Sequence, residues 1–170
     1  MRLLLVFILL STLTFHLQSQ DEWDTYQTES FEMLYPAHWT LSPNVKGCEV
    51  VIALEPQEKG DEIVTFTLSK EKVLDEKDDA NMEKFQALTF FEIEQFLGAE
   101  ITKQYNDTIN ELPVVIGEYQ YQKGKEEYLG KTVLFIKNNM KYKLVIRSSR
   151  RNFKANEVVL NHMINSLKLN

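Results

Sequence analysis

Apolar and polar residues alternate along several stretches of the chain, which is the pattern of half-buried β-strands. This pattern predicts strands over residues 31–35, 50–54, 64–69, 101–108, 112–123, 127–137 and 141–148. Polar turns at Gly60, Gly124 and residues 138–139 separate successive strands and indicate hairpins. Because hairpins dominate and strand–helix–strand alternation is rare, we predict a mostly antiparallel sheet.

Two stretches carry apolar residues at steps of three and four, the spacing of one helix face. The first places Met82, Phe85, Leu88, Thr89, Glu92 and Phe96 on one side and ends at Gly98, a residue type that commonly terminates helices. The second covers residues 153–167. Residues 21–30 are interpreted as a polar lead-in segment and residues 70–79 as a charged loop.

Several predicted strands are apolar on both faces. Val114 and Val115 are neighbours on one strand, and Val133 and Leu134 on another. A sheet that is apolar on both sides needs cover on both sides, and the two helices can provide it. We therefore predict an α+β fold, a three-layer α/β/α sandwich with a central, mostly antiparallel sheet.

The first 19 residues have the composition of a secretory signal peptide. Arg2 supplies a positive start, residues 3–15 an apolar centre, and Ser19 a small residue at the exit. The apolar run is shorter than the about 20 residues that a membrane-spanning helix needs. We predict a signal peptide over residues 1–19 and a single domain over residues 20–170. The expected location is secreted or periplasmic, with no transmembrane segment in the mature chain.

The charge balance argues against nucleic acid as a partner. The formal net charge is −6, and removing the +1 of Arg2 with the signal peptide makes it −7. Binding to nucleic acid or to an anionic membrane needs a basic surface instead. Basic residues do form one local cluster in the sequence, which consists of Lys141, Lys143, Arg147, Arg150, Arg151 and Lys154. Two interpretations of this basic cluster stay open: an anion or partner site, and the solvated end of a strand.

Cys48 is the single cysteine of the chain, so no internal disulfide can form. It lies far from the predicted signal peptide, which excludes it as a lipid-modified residue, and we expect a protein that is not a lipoprotein. A free cysteine usually behaves as a small apolar residue. We expect Cys48 at the start of a strand in that role.

Motifs that carry catalysis or metal binding are missing from the sequence. His38 and His162 have no chelating partners nearby in the chain. The acidic residues of 75–79 lack a calcium-loop pattern and precede a helix, whose dipole favours acids at that end. The sequence has neither a nucleophile elbow nor a phosphate-binding glycine loop. We expect no metal, no cofactor and no enzyme activity; a hydrolase with an unrecognised carboxylate pair stays an alternative.

Four stretches resemble a known fold group. Residues 31–39, Phe-Glu-Met-Leu-Tyr-Pro-Ala-His-Trp, are similar to the F-x-hydrophobic-x-Y-P-x-x-W opening of PsbP-like proteins. Residues 109–119, 138–144 and 163–167 resemble the middle strand, the late hairpin and the closing helix of that group. The group includes DcrB-like and related small bacterial secreted proteins. The resemblance implies a PsbP-like domain that binds or assembles with other proteins and has no shared catalytic residues. A photosystem role is not implied, because one fold hosts unrelated functions.

Three aromatic residues are the candidate partner-binding residues. Trp39 follows the first predicted strand and either anchors a partner or packs at the edge of the core. Tyr119 and Tyr121 share one face of a predicted strand. The leading hypothesis is an envelope module that binds another protein. The alternative is a small-ligand carrier that uses the space between sheet and helix, which needs an apolar internal cavity of a few hundred cubic ångströms.

Overall fold

The computed structural model describes residues 22–45, 47–55, 63–73 and 81–170. These ranges contain the following strands and helices in chain order: β1 Trp23–Gln27, β2 Phe31–Pro36, β3 Thr40–Val45, β4 Cys48–Leu54, β5 Val64–Lys72, α1 Met82–Leu97, β6 Glu100–Ile109, β7 Leu112–Lys123, β8 Glu126–Lys137, β9 Met140–Ser149, α2 Arg150–Ala155, α3 Glu157–Ser166 and β10 Lys168–Leu169. The predicted signal peptide, the turn at Gly60 and the acidic residues 75–79 lie outside the described residues.

The described strands form two sheets. The main sheet has the order β3-β4-β5-β9-β8-β7-β6, and a small sheet has the order β1-β2-β10. Each neighbouring pair in both sheets is antiparallel. The prediction of an α+β fold with a mostly antiparallel sheet is therefore confirmed.

Tight turns link the last strands of the main sheet. Asn138 and Asn139, with φ angles of 50° and 61°, join β8 to β9. Gly124, with φ of 67°, joins β7 to β8. These left-handed conformations are the ones that asparagine and glycine tolerate best, so the hairpins predicted at both turns are confirmed.

Two apolar clusters lie on opposite faces of the main sheet. The larger contains Val114 and Ile116 of β7 together with residues of β2, α2 and α3. The smaller joins Val115 of β7 and Leu134 of β8 to Phe90 of α1. Successive residues of a strand point to opposite faces, so α1 contributes to the cluster on one face and α2 and α3 contribute to the cluster on the other. We call the side of Val115 and Leu134 the α1 face.

Several elements differ from the sequence-based expectation. The expected lead-in segment contains β1, which pairs along β2, and the unpredicted strand β3 pairs with β4. The expected charged loop begins later than residue 70, because β5 continues to Lys72 by pairing with β9. The expected helix over residues 153–167 is two helices, α2 and α3. The break is at Asn156, whose φ of −106° and ψ of 7° depart from helical values; its side-chain amide donates to the carbonyl oxygen of Asn152 at 2.9 Å.

The N-terminus of α1 is capped by Asn81. Its side-chain oxygen accepts hydrogen bonds from the backbone N–H groups of Glu83, at 2.8 Å, and Lys84, at 3.3 Å. We expect Asn81→Ala to lower the free energy of unfolding by about 1 kcal/mol, because both amides lose their acceptor. Urea unfolding monitored by circular dichroism measures this change. Asn81→Asp retains an acceptor and is expected to stay close to wild type; equal losses for both variants would contradict the capping role.

Candidate functional site

Helix α1 covers only part of its face of the main sheet. It contacts β6, β7 and β8, whereas β4, β5 and β9 lie beside it with half-buried side chains. Between the helix and these strands runs an open cavity of about 400 Å³, which we call the trough. Its walls combine apolar residues of α1 with strand residues; the lining includes Thr89, Glu92, Ile93, Phe96, Leu97, Cys48, Thr67, Ser69, Tyr119, Lys143, Val145 and Arg147. Beyond Lys143 a second depression of about 270 Å³ continues towards Phe85.

Two glycines allow aromatic rings to lie directly on the α1 face. A Cβ atom added to Gly117 would stand 2.3 Å from the ring of Phe90, and one added to Gly130 would stand 2.1 Å from the ring of Tyr119. Carbon atoms in ordinary contact are about 3.5–4.0 Å apart, so neither ring leaves room for a side chain. Gly117 thus sets how closely α1 approaches the sheet, and Gly130 sets where the Tyr119 ring lies.

Strand register places Tyr119, Gly130 and Arg147 in one row across three strands. Tyr119 of β7 pairs with Gly130 of β8, which pairs with Arg147 of β9. Because Gly130 has no side chain, the Tyr119 ring extends across it in the direction of β9. The row therefore brings a phenol and a guanidinium to the same end of the trough.

The Tyr119 hydroxyl is buried without a hydrogen-bond partner among the described residues. Burial raises the pKa of Tyr119 to about 12, against the opposing effect of the Arg147 positive charge. The nearby Thr132 hydroxyl also opposes the rise of this pKa, yet neither hydroxyl makes a hydrogen bond of normal geometry. Tyr119 consequently keeps its proton at physiological pH and is a donor without an acceptor.

Other hydroxyls in and beside the trough are already bonded within the sheet. Thr65, Thr67 and Ser69 project from β5 on the α1 face. They donate, in that order, to the backbone carbonyl oxygens of Arg147, Val145 and Lys143 at 3.4, 3.3 and 3.3 Å. The floor along β5 therefore offers methyl and methylene surface, and its hydroxyl protons are occupied.

The predicted basic cluster is divided by the structure. Lys143 forms an ion pair with Glu92 at 3.7 Å, and Lys154 forms one with Glu157 at 3.1 Å. Arg150 pairs with Glu127. For Arg147, no carboxylate partner occurs within the described ranges. Of these cations, Arg147 is the one that faces the trough without a neutralising acid.

The three predicted site residues do not come together. Trp39 is 4% exposed and belongs to the larger apolar cluster, away from the α1 face. Tyr119 and Tyr121 stack with ring centroids 6.4 Å apart, and Tyr121 stacks further on Tyr128 at 5.1 Å. Tyr119 is 2% exposed, whereas Tyr121 is half-buried. The shared strand face of the two tyrosines is confirmed; a partner-binding role for the three residues stays a prediction.

The buried side of α1 differs from the predicted helix face. Thr89 and Phe90 are its buried residues, and Leu88 and Phe96, both expected on the inner face, are exposed. The reason is that α1 carries apolar residues around more than half of its circumference, so spacing alone does not select the packed side. Leu88, Phe91 and Phe96 are therefore 55%, 58% and 84% exposed, and the sequence pattern did not predict this exposed apolar surface.

Cys48 is the first residue of β4, as predicted, and is half-buried at the side of the trough. Across the described ranges, no helix has the length and apolar character needed to cross a membrane. The same ranges hold no group of three or more histidine, cysteine, aspartate or glutamate side chains placed to bind a metal ion.

Comparisons with known proteins identify relatives by structure and not by sequence. No protein-family model matches the chain, and no curated protein sequence matches it. Cyanobacterial PsbP (CyanoP) from Synechocystis sp. PCC 6803 superposes with a TM-score of 0.61 at 14% identity, over 92% of this chain and 98% of CyanoP. The fold is PsbP-like. The fold-level resemblance inferred from residues 31–39 and the later stretches is thereby confirmed.

Two further solved structures share this fold. LpqN of Mycobacterium tuberculosis, described as involved in cell envelope biogenesis, matches with a TM-score of 0.62 at 14% identity, over 89% of this chain and 87% of LpqN. PA94 of Pseudomonas aeruginosa, a protein of unknown function, matches with a TM-score of 0.57 at 16% identity, over 85% of this chain and 95% of PA94. None of the three proteins is described as an enzyme. At these identities the similarity shows the PsbP-like fold and nothing more specific.

Proposed function

We propose that this PsbP-like protein is a non-enzymatic module of the cell envelope that binds another protein. In this proposal residues 1–19 are a signal peptide, and the domain acts in the periplasm or outside the cell. The description of LpqN as an envelope-biogenesis protein supports the location. The observation that carries the binding function is the exposed apolar surface on the outer side of α1.

This surface, the α1 strip, consists of Ala87, Leu88 and Phe91. Leu88 and Phe91 are 55% and 58% exposed, and Ala87 is exposed as well. Residues three and four positions apart are neighbours on a helix, so the three side chains form one continuous apolar surface. Contiguous exposed apolar surface rimmed by polar groups is typical of protein interaction sites.

Charges next to the α1 strip indicate the chemistry of the partner. Glu83 and Glu94 are exposed and lie at helical spacing from Ala87, on the same flank. A helix face of this kind fits an apolar groove of another protein. Lys84 is also exposed and lies one turn before Leu88. We propose a partner whose groove receives Leu88 and Phe91 and whose rim carries basic residues opposite the two glutamates and an acid opposite Lys84.

Site-specific photocrosslinking in the native cell tests this proposal. A photoreactive residue at position 91 is expected to give a discrete adduct with one envelope protein. The matched control is position 158, because Val158 is also an exposed apolar residue, at 84%, but lies on α3. Similar adducts from both positions, or none from position 91, would contradict the proposal.

The substitution Phe91→Glu separates binding from folding. We expect it to abolish co-purification of the crosslinked partner because it places a charge at the centre of the α1 strip. Its effect on the free energy of unfolding should stay within about 0.5 kcal/mol, as for other exposed positions. Val158→Glu should leave co-purification intact. If the folded Phe91→Glu variant still binds the partner, the α1 strip is not part of the interface.

The trough favours a second candidate function, that of a small-ligand carrier. Its volume of about 400 Å³ falls in the range of about 300–1,000 Å³ that is typical of ligand pockets. The trough lies between the sheet and α1, but it is open and partly polar, so it differs from the apolar internal cavity that the sequence-based alternative required. Binding in the trough and docking on the α1 strip use different sides of the helix and are compatible.

We further infer a three-layer order, with α1 as one layer, the main sheet as the second, and α3 with the small sheet as the third. The separate apolar clusters on the two faces of the main sheet support this order. Within it, Tyr121 retains accessible surface, and we propose it as a partner contact at the sheet end. Buried Trp39 and Tyr119 would reach a partner only indirectly.

A further inference from the structure

We infer that the trough binds a single-chain amphiphile with a carboxylate head, the chemical class of fatty acids. The carboxylate would lie at Arg147 and the Tyr119 hydroxyl, and the hydrocarbon chain would follow Ile93, Phe96 and Val145. This inference rests on the carrier function proposed above and names its ligand.

The polar end of the trough has the donors that a carboxylate needs. Arg147 lies on the α1 face and has no acid partner among the described residues. Tyr119, only 2% exposed, contributes a protonated hydroxyl without an acceptor. A buried donor that is left unsatisfied is unfavourable, and a bound carboxylate would supply the missing acceptor. Arginine can also bind a carboxylate through two parallel hydrogen bonds.

The remainder of the trough suits a hydrocarbon chain. Ile93, Phe96 and Leu97 line the helix side, and Val145 lines the sheet side. Phe96 is 84% exposed, so an apolar ligand would cover surface that otherwise faces water. The β5 hydroxyls on the opposite side already donate to β9 carbonyl oxygens, so they do not need a hydrogen-bond acceptor from a ligand. A polar or multiply hydroxylated ligand would find few free partners along this length.

The number of free cations favours a carboxylate over a phosphate. Lys143, the next cation of β9 along the trough, already pairs with Glu92 at 3.7 Å. One guanidinium and one neutral hydroxyl match a single negative charge. A phosphate monoester carries nearly two charges at neutral pH, and its second charge would lack a partner.

Ligand competition on the folded full domain tests the assignment. The probes are tetradecanoate, tetradecan-1-ol and dodecyl phosphate, each displacing a fluorescent fatty acid from wild type, Arg147→Gln and Arg151→Gln. Arg151 is exposed on α2 and serves as the matched control for loss of one positive charge. We expect Arg147→Gln to weaken tetradecanoate binding about tenfold or more and to leave tetradecan-1-ol binding unchanged. Arg151→Gln should change neither.

Two further variants keep the test decisive. Tyr119→Phe preserves the ring over Gly130 and should weaken tetradecanoate binding several-fold. Phe96→Glu changes an exposed residue at the trough and should weaken both tetradecanoate and tetradecan-1-ol. Fatty acid binding that is insensitive to Phe96→Glu and Arg147→Gln would lie elsewhere and would overturn the inference.

The outcomes separate the ligand class from the carrier function. If tetradecan-1-ol binds as tightly as tetradecanoate, or dodecyl phosphate binds more tightly, the carboxylate assignment is wrong while the trough remains a ligand site. If none of the three probes binds wild type, the carrier function fails together with the inference. The protein-binding proposal is tested independently at position 91.

Discussion

Replacing Gly117 with alanine is expected to lower the free energy of unfolding by about 1–3 kcal/mol. The added Cβ would stand 2.3 Å and 2.5 Å from two atoms of the Phe90 ring, and that ring is buried between α1 and the sheet. To relieve the contact, α1 must move outward or Phe90 must leave its rotamer. Alanine is ordinarily favoured over glycine in a strand interior, so a loss of stability has the opposite sign to the usual effect. Urea unfolding of the two proteins measures the difference.

A double-mutant cycle with Phe90→Leu shows whether the clash is the cause. Leucine withdraws the ring edge that faces Gly117, so Gly117→Ala should be much less damaging in the Phe90→Leu background. An equal loss in both backgrounds would show that the two residues do not interact. A favourable effect of Gly117→Ala in the wild type would contradict the close contact itself.

The second large effect is expected at alkaline pH, where wild type should lose about 3 kcal/mol more stability than Tyr119→Phe. The pKa of Tyr119 is raised from 10.0 to about 12 in the folded state, first of all by burial. Between these two values the unfolded chain has released the phenol proton and the folded chain still holds it. The free energy of unfolding therefore falls as the pH rises through this window, and the contribution of Tyr119 is lost once the pH passes about 12. Urea titrations on both sides of the window measure the difference.

Tyr105→Phe provides the control for this experiment. Burial and Glu118 also raise the pKa of Tyr105, but this residue is only partly buried, so its variant should differ less from wild type. At neutral pH, Tyr119→Phe removes an unpartnered hydroxyl and should be neutral or stabilising by about 1 kcal/mol. Parallel alkaline profiles for wild type and Tyr119→Phe would contradict the buried, protonated state of Tyr119.

Most of the strands that were predictable from sequence have a face that is buried along their length; the edge strand β6, with one buried residue, is the exception. In β5 and β9 buried and half-buried residues alternate, and that alternation is visible in the residue types. β1 has no buried residue, β3 is an edge strand containing Pro43 and Asn44, and β10 has only two residues. Such strands are held by pairing with their neighbours, and pairing leaves little trace in the hydrophobic pattern.

The candidate site was less predictable because it depends on strand register and helix orientation. Tyr119 was predicted as a site residue from the sequence. Its position in the candidate site depends on the row that it shares with Gly130 and Arg147, and this row forms only when three strands are aligned. The basic cluster was recognised as well, although its neutralisation by acids from α1, β8 and α3 is a tertiary feature. The trough exists because α1 stops short of β5, which no local pattern encodes.

The small sheet links distant parts of the chain and so bears on folding kinetics. β10 pairs with Glu32 and Phe31 of β2, and the Ser166 hydroxyl accepts a hydrogen bond from the Leu34 amide across 132 positions. Closing a loop of this length has an entropic cost, which slows the pairing of β2 with β10. The pairing also cannot form before β10 has been synthesised. Until then β2 exposes Phe31 and Met33, which are fully buried in the finished domain. In a nascent chain, β2 is therefore an apolar segment that chaperones can bind until β10 has been synthesised.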